Sequence, residues 1–155
     1  MPVDRSHDAE TDVERERLRA LVTRLTDDDL RRPMPDGWTL SAVLAHVAYW
    51  DARAIYFLDK WGPSGEPSVY EPEDTDAANE SAKPLCLALP PRIAAELALR
   101  VAEEADGKVR ALSDEMLAKI RRKGNPPFNL SRGSHRREHL DDIARLFGAP
   151  DRGGR

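Results

Sequence analysis

Cysteine is almost absent from this chain of 155 residues: Cys86 stands alone. That excludes an intramolecular disulfide and any cysteine-rich zinc module. Strand-favouring residues are also scarce. Val, Ile and Thr occupy 17 positions against 37 for Ala and Leu, which disfavours a sheet and favours helices. No stretch approaches the ~18 apolar residues of a membrane span, and Met1 to Arg19 is too polar to hold a signal-peptide core. Nor is there an excess of positive charge. Lys plus Arg number 24 and Asp plus Glu 28, with both signs interspersed for a net charge of −4. This lacks the basic stripe that non-specific nucleic-acid binding needs. What is present, 40% hydrophobic and 34% charged residues, is the balance of a folded domain rather than a disordered chain. The expectation is a single soluble, cytoplasmic, all-α domain over 1–155, with its core at about 9–148, a mobile tail at 149–155, and no internal repeat.

The periodicity predicts four long helices. The first covers 9–25, with Val13, Leu18, Leu21, Val22 and Leu25 as its apolar positions. Pro33, Pro35 and Gly37 break the pattern. The second starts at Thr39 or Ser41, runs to about Trp61 through Leu40, Val43, Leu44, Val47, Trp50, Ala54, Ile55 and Leu58, and stops at Gly62. Residues 62–75 read as a loop and 76–86 as a short helix interrupted at Lys83-Pro84. Pro90-Pro91 opens the third long helix, whose stripe is Ile93, Leu97, Arg100 or Val101, Ala105 and Val109, ending near Leu112. Ser113 caps a short helix to about Ile120, and 121–129 is a loop. The fourth long helix spans about 131–147, with Leu140, Ile143, Leu146 and Phe147 apolar. Four such helices make a four-helix bundle. The connection of almost 30 residues between helices two and three is far longer than a hairpin requires, so a crossover makes those two parallel.

The chain has four histidines, and three of them fall on predicted inward faces. His135 and His139 stand at i and i+4, so both imidazoles can reach one ion. Asp142, Ile143 and Leu146 continue their face. On helix two, His46 has Val43, Val47 and Trp50 at −3, +1 and +4. The bland alternative is three separate core histidines, each bonded to a carbonyl or carboxylate. His7 falls in the polar N-terminal stretch and reads as solvated. The HExxH pattern of zinc proteases is missing, because Arg136 follows the first histidine of the pair. Asp142 is placed to orient an imidazole, to act as a fourth ligand, or to form an ordinary salt bridge. Arg132, Arg136 and Arg137 read as a solvated face. Cys86, among Leu85, Leu87 and Leu89, reads as a small core residue, and Trp38 and Trp50 read as core.

The segment Gly37-Trp38-Thr39-Leu40-Ser41-Ala42-Val43-Leu44-Ala45-His46-Val47-Ala48-Tyr49-Trp50 resembles the start of the second helix in the DinB-like (YfiT-like) metalloenzyme superfamily. The closest likeness is to the metal-binding domain of mycothiol-dependent maleylpyruvate isomerase. Ser134 to Ile143, with its HxxxH pair, is similar to the last helix of that family, and Asp76-Ala77-Ala78-Asn79-Glu80 resembles its short Asn-containing segment. The resemblance spans roughly 9–148. It implies an up-down-down-up four-helix bundle with a divalent metal, zinc or nickel foremost, held by His46, His135 and His139. It further implies an exogenous low-molecular-weight thiol such as mycothiol as co-substrate. The expectation is that a C-terminal domain like that of the larger isomerases is absent, which puts the isomerase reaction itself in question.

Three neutral imidazoles leave a divalent ion with an open position, the arrangement of catalytic rather than structural zinc. Two chemistries fit: thiol S-transfer to an electrophilic small molecule, and hydrolysis by metal-bound hydroxide. Tyr49 and Arg53, three and seven residues past His46, are candidates for proton donor and carboxylate clamp; the alternatives are a rim hydrogen bond and a salt bridge. A non-catalytic small-molecule binding or stress-response bundle is the competing function, and a plain interaction bundle a third. An apolar face could also support a homodimer.

Overall fold

The computed structural model describes residues 2–148, and among these it is helical with no strand, in seven α-helices and one 3-10 turn at Pro35–Gly37: α1 (His7–Arg24), α2 (Asp27–Leu30), α3 (Leu40–Ser64), α4 (Thr75–Ala88), α5 (Pro91–Arg110), α6 (Asp114–Lys123) and α7 (Arg132–Phe147). The expected tail at 149–155 lies outside the described residues. Most of the capping chemistry is local. Thr26, Thr39, Asp74 and Ser113 each accept a backbone N–H three residues on with their side-chain oxygen, satisfying an otherwise orphaned first-turn donor. No helix among the described residues is long and apolar enough to cross a membrane.

The four long helices α1, α3, α5 and α7 form the bundle, and the residues that meet fix their directions. Ala42 and Ala45 at the start of α3 meet Ala94 at the start of α5. Ala54, Leu58 and Trp61 near the end of α3 cluster with Val109 near the end of α5. These two helices therefore run parallel. Glu10 of α1 reaches Ser131 beside the start of α7, while Leu18 and Leu21 of α1 share a core cluster with Leu140 and Ile143, so α1 and α7 are parallel as well. Arg136 early in α7 meets Asp106 late in α5, which makes the two pairs antiparallel. The topology is up-down-down-up, as the long crossover required. Packing is uneven: α3 lies mainly on α5, and α7 mainly on α1, with a thinner contact between α3 and α7.

Several sequence expectations are corrected. The second helix passes through Gly62 and ends on Gly65, whose left-handed φ of 67° suits glycine and whose N–H returns to the Trp61 carbonyl at 2.8 Å. Trp61, buried against Leu58 and Phe128, anchors that last turn. Pro84 does not interrupt α4. The helix continues because Ala82, Cys86 and Leu89 pack on Ala42 and Ala45 of α3, and tertiary contact outweighs the missing proline N–H. His7 is only slightly exposed: its Nε2 is out of solvent, makes no hydrogen bond and has Asp8 Oδ1 at 3.5 Å. Val13, Ile93 and Leu146, expected on apolar stripes, are exposed. Arg132 and Arg136, expected at the surface, are instead buried. Gly133 lies between them, where α7 comes so close to α1 that a Cβ would stand 2.8 Å from the Glu10 carbonyl oxygen.

Candidate metal centre

His46 sits on the second turn of α3, downstream of the Gly37-Trp38-Thr39 lead-in. Asp36 and Gly37 both adopt left-handed φ, 59° and 78°, which turns the chain sharply and sets Trp38 edge-on to the His46 ring with centroids 5.6 Å apart. A side chain at 37 would be strained at that φ. From the other side of the bundle, α7 presents His135 and His139 one turn apart, their Nε2 atoms 3.0 Å from each other. One ligand atom from each of His46, His135 and His139 lies within 4.8 Å of the other two. Two imidazole nitrogens at 2.0–2.1 Å from a tetrahedral zinc stand about 3.3 Å apart, so the α7 pair already has nearly that spacing.

Burial prepares these rings for a cation. His46 is pushed down to about 4, first by loss of solvent and then by His139. His135 is pushed down to about 3, by burial first and then by His139, His46, Arg132 and Arg136. His139 is also lowered by burial, against the opposing pull of Glu138 and Asp142. At neutral pH all three are therefore uncharged, the ligand form, and an incoming ion displaces no proton. The Nδ1 atoms of His46 and His135 are buried without a hydrogen-bond partner. Ordinary core histidines would have satisfied them, so the bland reading of three separately bonded rings does not hold. A donor set of three neutral imidazoles fits a divalent transition metal ion.

A cavity of about 620 Å³ opens over this triad. His46 and His139 reach it, Trp38, Met34 and Val43 form apolar wall, and Asp36, Asp76, Glu80 and Asp142 bring carboxylates to it. One wall comes from the crossover: α4 contributes Asp76, Asn79 and Glu80. The helix is tied on by Trp50 Nε1, which donates to Asn79 Oδ1 at 3.0 Å, and by Lys83, which donates to the Asp36 carbonyl. Asp142 lines the cavity, and its carboxylate is engaged by Arg145, the salt bridge that the sequence had left open beside an imidazole-orienting role.

The other two predicted residues lie elsewhere. Tyr49 is exposed, packs edge-on against Trp50 and does not line the cavity. Arg53 is occupied: it pairs with Glu73 at 2.7 Å, donates to the Pro127 carbonyl, and lies over the rings of Trp50 and Phe57. It clasps the α3–α4 connection to the loop before α7. The i+3 and i+7 spacing from His46 was a real signal of proximity along one helix, but the side-chain partners are set by neighbours remote in sequence.

A family model of the DinB superfamily matches residues 10–139. This chain belongs to the DinB superfamily. The matched segment contains His46, His135 and His139 and stops three residues short of Asp142. No match was found among curated proteins or among solved structures.

What sequence reasoning missed in this DinB-superfamily chain is a buried ion network directly beneath the triad. Both oxygens of Asp51 accept from α7, one from Arg132 Nε and the other from Arg136 Nε, each at 3.0 Å. Arg136 also forks onto Asp106 of α5 at 2.8 and 2.7 Å, and Arg15 of α1 completes that carboxylate at 2.9 Å. A signal was present. Stepping back from Leu140 by four and eight gives Arg136 and Arg132, and Asp51 and Asp106 likewise fall on the buried stripes of their helices. Opposite charges at inward positions of three helices mark a network once they are read together.

Proposed function

We propose that this DinB-superfamily protein holds a divalent metal ion, zinc or nickel, on His46, His135 and His139 and uses it on a small molecule bound in the cavity above. The observation that carries the reading is the convergence of three neutral imidazoles, with ligand atoms within 4.8 Å, at a cavity of about 620 Å³. When bound, such an ion supplies Lewis acidity that makes a thiol or water nucleophilic near neutral pH. The two activities that suit this are transfer of a low-molecular-weight thiol such as mycothiol and hydrolysis. The first draws support from the likeness of the Gly37–Trp50 segment to the metal-binding domain of mycothiol-dependent maleylpyruvate isomerase. Buried Cys86, its thiol pushed up by loss of solvent, offers no competing nucleophile, so the thiol would come from outside the chain.

The chain's own residues divide the work. His46, His135 and His139 bind the ion, Trp38 and Met34 exclude water from one side, and the carboxylates of Asp36, Asp76 and Glu80 favour a neutral or cationic small molecule over a polyanion. Asp142 keeps Arg145 at the mouth. Tyr49 has no part in this scheme, and Arg53 acts by fixing the loop before α7. Elemental analysis of untagged protein from metal-replete medium tests the reading: about one ion per chain is expected, lost in the His135→Ala/His139→Ala variant. Metal-free wild-type protein would reject it. Full occupancy with no turnover across a panel of thiols and electrophiles would favour the non-catalytic binding module.

A further inference from the structure

The candidate ligands come from two helices that pack thinly on each other. His46 belongs to α3, whose main partner is α5, and His135 and His139 belong to α7, whose main partner is α1. The triad thus straddles the seam between two helix pairs. Apolar packing is non-directional, yet a slip of one residue along a helix axis moves every side chain by about 1.5 Å, and a metal site tolerates only about 0.5 Å.

Two buried carboxylates make directional contacts across that seam, Asp106 from α5 and Asp51 from α3, and of the two only Asp51 shares a helix with His46. Asp51, five residues after His46, grips two guanidinium groups that bracket His135 in sequence, Arg132 and Arg136. Because the two arginines are one turn apart and each takes a different oxygen, a slip or rotation of α7 breaks both contacts together.

Resting on the metal reading above, we propose that Asp51 is a positioning residue that sets the register of α7 against α3 and so brings His135 and His139 to His46. Asp106 provides the control. It too is buried and carries Arg136 as well as Arg15, but it sits on α5, which supplies no candidate ligand.

Cobalt(II), added to the metal-stripped full-length protein, serves as the probe. Its d–d absorption reports coordination geometry, and its titration gives affinity. Conditions are chosen where circular dichroism shows each variant folded. The expected result is that Asp106→Asn keeps the wild-type spectrum with affinity within about threefold, whereas Asp51→Asn loses at least about tenfold and shifts the spectrum. If Asp51→Asn fails to fold, Asp51→Glu takes its place, keeping the charge but moving the carboxylate by a methylene; the same loss and shift are expected. Wild-type spectrum and affinity in the folded Asp51 variant, or equal losses at Asp51 and Asp106, would overturn the proposal. Wild-type protein that binds no cobalt would instead overturn the metal reading on which it rests.

Discussion

His46 and His135 make the fold sensitive to mild acid. Both are held below the ordinary imidazole value, at about 4 and about 3, so the unfolded chain binds protons that the folded one refuses. Their contribution to stability is complete above pH ~6.5 and is lost as pH falls towards those folded values. In metal-stripped protein we expect the melting temperature to drop as pH is lowered from 6.5 to 4. His135→Ala should flatten that slope, and a pH series of thermal melts in both proteins checks it. Tyr49 behaves differently. Its exposed ring contributes no hydrogen bond to the site, so Tyr49→Phe should alter stability by less than about 0.5 kcal/mol and leave metal content unchanged in denaturant titration and elemental analysis.

The decisive features of the individual helices are close approaches and ties between neighbours. Gly133 allows α7 to lie against the α1 backbone, and a Cβ there would meet the Glu10 carbonyl oxygen at 2.8 Å. Backbone cannot rotate out of the way as a long side chain can. Gly133→Ala should therefore cost about 1–3 kcal/mol by forced displacement, read from urea unfolding, and should weaken metal binding because His135 is two residues away. Among the ties on the crossover helix, Asn79 is the one that satisfies an indole, accepting from Trp50 Nε1. Asn79→Leu should cost about 1–3 kcal/mol through the unpaired indole N–H and raise amide exchange across α4, measured by hydrogen exchange mass spectrometry, while α1 and α7 retain their protection.

For the whole molecule, metal and fold are linked through the seam between α3 and α7. An ion that binds the folded chain at a hundred times its Kd adds about 2.7 kcal/mol of stability, or roughly 5–10 °C in a domain of this size. Addition of zinc to stripped protein should raise the melting temperature by that amount, and a chelator should reverse it. A bundle whose histidines are merely structural would melt at the same temperature in both conditions. Calorimetry separates the two outcomes.

Helical periodicity and composition were enough for the bundle, the parallel pair of central helices and the inward facing of three histidines, because these follow from spacing along one helix at a time. The motifs around His46 and His135 were enough for the family. Pairing between remote residues followed different rules. Arg132 and Arg136 read as a solvated face because a guanidinium is costly to bury alone, and only Asp51 and Asp106 arriving from two other helices make that burial favourable. For Arg53 the sequence left a carboxylate clamp and a salt bridge both open, because its partners Glu73 and Pro127 are distant in sequence. Pro84 read as a break because the faces of α3 that hold α4 together are not visible in α4 itself. With one cysteine and few strand-forming residues, the sequence by itself determined a helical scaffold and its three inward imidazoles. Which charges would be buried, what would wall the cavity and how closely the imidazoles would meet were decided by tertiary structure, since each depends on groups that only folding brings into contact.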